Sequence, residues 1–207
     1  MVLDIKKMKY QQIISLITPE LLNKSIETMS MNEICDIIGI TKKTFYNHFS
    51  SKEELLLEVD QKILKEVFIT EYEKKLEISK NSGVEKFHTI IDTFCDLFFT
   101  KTNYFSFFYI NFDGINKAII KEEFVKYKNF RQNYSAYFTN NFKSGLEDKT
   151  IKSIRGLGID NILRSLNGIC IYLITSINLG TITIEEAKTD LYDFKNFILE
   201  NIRGEYE

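Results

Sequence analysis

The sequence predicts an all-α fold in two parts, on three observations. Helix-capping signals recur along the chain, in Ser30-Met31-Asn32-Glu33, at Thr41, in Ser51-Lys52-Glu53-Glu54 and in Thr183-x-x-Glu186. Between them apolar residues keep a three-to-four spacing, and no segment alternates convincingly with period two outside those helical faces. One proline and nine glycines in 207 residues leave few places for tight turns. With 44% hydrophobic and 27% charged residues, the composition is that of a folded chain and not of a disordered one.

At the N-terminal end, Thr18-Pro19-Glu20 reads as a helix start, with threonine as cap and proline in the first turn. The alternative is one helix from about Lys9 to Lys24, bent at Pro19. Ile13, Ile14, Ile17, Leu21 and Leu22 keep one apolar face throughout, which favours the longer helix. A short helix from Met31 to about Ile37 follows the Ser30 box, with Ile34, Cys35 and Ile38 on its apolar side. Gly39 suits a left-handed turn residue, Ile40 fills the turn, and Thr41 caps a second short helix over Lys42 to His48. A long helix is expected from Ser51 to about Ile78, ended by Asn81-Ser82-Gly83. Further helices are expected from Val84 to Thr100, Asn103 to Phe112, Asn116 to Asn141, Lys152 to Leu179 and Ile184 to Arg203. Residues 1–52 then form a three-helix N-terminal domain and 53–207 a larger helical domain.

Net charge is −2, so any affinity for nucleic acid has to come from a local patch. Seven lysines against five acids leave +2 on residues 1–52, and the remainder carries −4. The three cysteines, Cys35, Cys95 and Cys170, are about sixty or more residues apart, which suits reduced thiols and not a zinc knuckle. The N-terminus lacks the apolar stretch of a signal peptide, pointing to a cytoplasmic protein. Residues Ser165 to Ile184 are uncharged, yet Asn167, Asn178 and several Ser and Thr interrupt them, which favours a buried helix over a membrane span.

The informative stretch runs from Ser30 to Leu56. A helix-turn-helix needs its two short helices to pack through apolar residues, here Ile34 and Ile38 against Phe45 and Phe49, and a residue without Cβ at the turn, here Gly39. The second helix has to present small, polar and basic side chains where base edges are reached in the major groove. Lys42, Lys43, Thr44, Asn47 and His48 meet that demand, and Tyr46 and Lys52 are placed for the phosphate backbone. With its preceding I-C-D, the run G-I-T-K-K-T-F-Y-N-H-F-S-S-K-E-E-L-L resembles the DNA-binding domain of TetR/AcrR-type transcriptional regulators, over roughly Ile13 to Val59. The resemblance implies a bacterial, all-α homodimer whose N-terminal helix-turn-helix binds operator DNA and whose C-terminal bundle senses a ligand and dimerises, most members being repressors. It also implies that Thr41, Lys42, Lys43 and Thr44 face DNA, with Tyr46, His48 and Lys52 near phosphates; no enzymatic activity and no cofactor are expected. The sequence departs from the family's pattern at Pro19 and at Ser50, where proline is frequent.

Outside that stretch, Phe94, Phe98, Tyr104, Phe108 and Phe112, with Tyr127 and Tyr134, are dense enough in aromatics to wall a pocket for a small apolar or aromatic effector. The other reading is ordinary core. Leu166, Cys170, Leu173 and Ile177 on one late helix, with Leu191 and Phe194 on the next, spread apolar side chains widely and are expected at a dimer interface; the other reading is burial inside one monomer. His88, Asp92 and Cys95 share a helix face, but groups on adjacent turns rarely converge on one substrate, and catalysis or metal binding is not expected there.

Overall fold

A computed structural model describes residues 2–78, 82–121, 124–153 and 158–204, without the side chains of 2–8 and 77–78. The chain runs α1 (Val2–Leu21), a 3-10 turn (Ile26–Thr28), α2 (Met31–Ile38), α3 (Lys42–Tyr46), α4 (Lys52–Ile63), α5 (Thr70–Ile78), α6 (Gly83–Thr100), α7 (Thr102–Ile120), α8 (Val125–Glu147), α9 (Ile159–Asn178) and α10 (Ile184–Ile202). Among the described residues the only extended pairing is one isolated bridge, Ile151 to Arg203. No helix among them is long and apolar enough to cross a membrane.

The longer reading of the first helix is the observed one, and it begins earlier, at Val2. Pro19 sits in its last turns, where the missing N–H removes a single ladder bond, while Thr18 Oγ1 donates to the Ile14 carbonyl at 2.6 Å. Between α4 and α5 the backbone does not stay α-helical as expected; it widens into a π-helical stretch over Leu64–Ile69. The expected break between Phe112 and Asn116 is absent, and the helix instead ends at Ile120. Gly114 is there for close packing, not for a turn: a Cβ on it would lie 3.0 Å from Leu56 Cδ2. The helix expected from Lys152 starts at Ile159, after the bridged residue Ile151; 154–157 lie outside the described residues, as does Asn81 in the other expected break.

By packing, the chain divides into two compact units, which are drawn differently from 1–52 and 53–207. Unit 1 is 1–65 with 103–131, and unit 2 is 66–102 with 132–207. In unit 1, Ile14, Ile17, Leu21, Ile34, Phe45, Phe49, Leu55, Leu56 and Phe107 make the core, so α7 shares a core with the first four helices. In unit 2, Tyr72, Phe87, Ile90, Phe98, Leu173, Leu191 and Ile202 do the same.

Candidate nucleic-acid interface and companion surfaces

The interface is built by local chemistry. Ser30 Oγ accepts the Glu33 N–H at 3.1 Å and starts α2, although the Glu33 carboxylate turns away to pair with Lys24, which holds it below the usual carboxylate range. Gly39 has φ 75°, and its N–H together with that of Ile40 satisfies the last α2 carbonyls. Thr41 Oγ1 then accepts the Thr44 N–H at 3.2 Å and lies 3.0 Å from Thr44 Oγ1, starting α3. Thr41→Ala is expected to lower stability by about 1 kcal/mol, read as an earlier urea midpoint; an unmoved midpoint would mean the cap contributes nothing.

Beneath α3, Phe45 is 0% and Phe49 1% exposed, with ring centroids 5.3 Å apart, and Tyr10 from α1 stacks on Phe49 at 5.1 Å. That anchoring turns the polar side outward: Thr41, Lys42, Lys43, Tyr46 and Asn47 are exposed, while Thr44 and His48 are half-buried. Tyr46 meets Phe45 edge-on at 5.4 Å and is 54% exposed. His48 lies 6.4 Å from the Tyr10 ring. Cys35, on the buried side of α2, has its thiol pushed up by burial and stays a small apolar filler. Lys52, expected beside a phosphate, is committed internally: its Nζ donates to the carbonyls of Ile26 at 3.2 Å and Met29 at 2.8 Å.

The seven aromatics expected around an effector do not share one unit. Phe94, Phe98 and Tyr134 belong to unit 2, and Tyr104, Phe108, Phe112 and Tyr127 to unit 1. Phe112 is 52% exposed, on the outer side of α7, which is no wall for an enclosed ligand. Tyr127 is buried, with its hydroxyl donating to Glu58. Phe108 lies under the Arg131 guanidinium at 5.7 Å, and Arg131 pairs with buried Asp60 at 3.3 Å. Burial pushes the Asp60 carboxyl up, and Arg131 only partly opposes it.

In unit 2, Phe94 and Tyr134 both pack on Phe138, which meets Tyr72 edge-on at 5.5 Å. Tyr72 is fully buried and its hydroxyl has no hydrogen-bond partner among the described residues. The sequence gives no sign of it, because one tyrosine on an otherwise amphipathic long helix carries no signal. A separate groove of about 460 Å³ between α6 and α10 is lined by Val84, His88, Thr89, Leu199 and Arg203, and by none of the expected aromatics.

Of the two readings of the late helices, burial within one copy is what the single chain shows for four of the six residues. Leu166, Cys170, Leu173 and Leu191 are 0–5% exposed within the single chain, because the a/d-type positions of α9 and α10 face their own core. Ile177 and Phe194 are half-buried. The apolar residues left open on those helices and their connection are Ile171 at 41%, Tyr172 at 58%, Leu179 at 73%, Ile184 at 59% and Phe197 at 57%. On α6, Asp92 accepts from Lys195 at 2.6 Å and pairs with His88 at 2.7 Å. Burial raises the Asp92 carboxyl, but these two bonds outweigh it and leave it below the ordinary value. Cys95 is buried, and that burial pushes its thiol up to about 12.

Two short capped helices joined through a left-handed glycine, with a basic and polar outer side, form a helix-turn-helix, followed in the chain by long helices. Residues 20–59 match the family model described as bacterial regulatory proteins, tetR family, so the chain carries that family's N-terminal domain. No curated protein sequence matches the chain. Solved structures share its fold. The ketosteroid transcriptional regulator KstR2 of Mycobacterium tuberculosis superposes with a TM-score of 0.64 at 15% identity, over 95% of each chain. The TetR family transcriptional regulator PfmR from Thermus thermophilus gives 0.61 at 20% identity, over 91% of this chain and 97% of its own. The fatty acid degradation regulator FadR from Bacillus halodurans gives 0.61 at 13%, over 95% and 97%. These matches are to transcriptional regulators and not to enzymes.

Proposed function

We propose that the protein is a ligand-responsive homodimeric repressor in the bacterial cytoplasm, and that α3 reads the major groove of a pseudo-palindromic operator. The observation that carries this reading is the division of α3 itself. Phe45 is sunk in the core while Thr41, Lys42, Lys43, Tyr46 and Asn47 stand open, with Thr44 and His48 at the margin. The polar set offers hydrogen bonds to base edges and charge to phosphates. Lys52 has a different role, since its ammonium holds the turn ahead of α2. Two α3 helices in a dimer would enter major grooves about 34–36 Å or a multiple apart.

Dimerisation is assigned to the open apolar residues of α9, α10 and their connection, Ile171, Tyr172, Leu179 and Phe197 above all, since each would otherwise face water. Effector sensing is assigned to the aromatic cluster of Tyr72, Phe94, Tyr134 and Phe138, where the buried Tyr72 hydroxyl has no hydrogen-bond partner among the described residues. A small apolar or aromatic effector with one hydrogen-bonding group fits that chemistry. Two structural neighbours are described as regulators linked to ketosteroids and to fatty acid degradation, which supports an apolar effector. Effector control requires only that the ligand prefer the conformation that does not bind DNA.

The test is retention of duplex fragments from the protein's own genome, sequenced and then used as probe. Lys43→Ala combined with Tyr46→Phe is expected to weaken binding by about tenfold and to flatten the log–log salt slope by about one. Unchanged affinity and slope in the double variant would move the reading surface off α3.

A further inference from the structure

We propose that Asn111 positions the DNA-reading helices by locking the turn that precedes them to α7; this rests on the reading of α3 as the DNA-contacting helix. Asn111 is 1% exposed. Its Oδ1 accepts the Ile26 backbone N–H at 3.0 Å, and its Nδ2 donates to the carbonyls of Leu21 at 3.0 Å and Phe107 at 3.2 Å. Leu21 is the last residue of α1, and Ile26 opens the 3-10 turn that leads into α2. One α7 side chain therefore closes the loop between the first helix and the helix-turn-helix, using bonds to backbone alone.

Other groups converge on the same turn. Lys52, the first residue of α4, donates to the Ile26 and Met29 carbonyls, so the Ile26 residue is held at its N–H by α7 and at its C=O by α4. Lys117, also on α7, pairs with Glu27 at 2.9 Å. Gly114 lets α7 come close, since a Cβ there would meet Leu56 Cδ2 at 3.0 Å and Ile26 Cγ2 at 3.9 Å. Asparagine is a poor choice for a helix interior on propensity, and an aliphatic side chain would fill the space with no polar atoms to satisfy. The residue is explained by its bonds to Leu21 and Ile26. Any slide of α7 along this contact either breaks them or carries the turn with it, and with the turn α2 and α3.

The experiment is Asn111→Asp in the full chain, scored as the ratio of variant to wild-type affinity for the recovered duplex between about pH 5.5 and about pH 8. Aspartate accepts the Ile26 N–H at any pH, but donates to the Leu21 carbonyl only when protonated, and burial raises its pKa toward that window. Lys52 and the Glu27–Lys117 pair are common to both proteins, so the ratio cancels their contribution. The expected result is binding about tenfold weaker than wild type at the alkaline end, recovering toward wild type at the acidic end, with helix content unchanged. A ratio flat with pH, or a loss of affinity that simply follows loss of helix content, overturns the proposal alone. A wild-type protein that retains no duplex overturns the DNA-binding reading and this proposal with it.

Discussion

Phe45→Ala is expected to unfold the reading head, lowering stability by about 3–5 kcal/mol, out of the roughly 5–15 kcal/mol that a domain possesses. α3 spans Lys42–Tyr46, far too short to hold itself as an isolated helix. Its Thr41 cap contributes a fraction of what it needs, and the rest comes from burying Phe45, which is 0% exposed and packs on Phe49 and Tyr46. Removing the ring leaves a cavity at the junction of α2 and α3 and frees the helix that carries Lys42 and Lys43. Urea unfolding followed by circular dichroism reads the loss, and duplex retention should vanish with it. Tyr46→Ala, one residue on, is the contrast: at 54% exposure it should move the midpoint little while weakening binding. Equal midpoints for wild type and Phe45→Ala would refute the packing described.

A pair of neighbouring substitutions on α9 should have opposite consequences. Leu173 is 0% exposed, so Leu173→Glu buries a charge without a partner and the chain is expected to lose its cooperative unfolding transition. Tyr172 is 58% exposed, so Tyr172→Glu leaves the single chain folded and places the charge on the surface assigned to the second copy. Monomers of native helix content are the expected result on light scattering, because a carboxylate trapped between two apolar helices is desolvated in the dimer only. Dimers persisting in Tyr172→Glu would place the interface elsewhere, and a normal melt for Leu173→Glu would contradict the burial.

The chain announces its N-terminal chemistry openly and its packing poorly. Ser30, Thr41 and Thr183 are legible as caps because a hydroxyl finds its N–H three residues away, within reach of any helix start. Gly39 is legible because a left-handed residue must follow α2 whatever lies around it. The same logic fails at Gly114: glycine also serves close approach, and Leu56, the neighbour that requires it, lies far off in sequence. Leu166, Cys170 and Leu173 face inward against expectation. α9 carries apolar side chains on most of its surface, and periodicity cannot say which of two apolar faces meets the chain's own core. Lys52 has the sequence position of a phosphate ligand, yet the carbonyls of Ile26 and Met29 occupy it.

Short-range chemistry in the chain is therefore enough to set the helix caps and the glycine turn, while the outward polar side of α3 also needs Phe45 and Phe49 packed beneath it. The caps and the turn are satisfied by atoms within about one helical turn of themselves. Which aromatics line a cluster, which side of α9 stays open, and what Asn111 and Lys52 hold are fixed only when distant segments meet. Asn111 finds its partners 85 and 90 residues away, and no local pattern encodes a hydrogen bond across such a span.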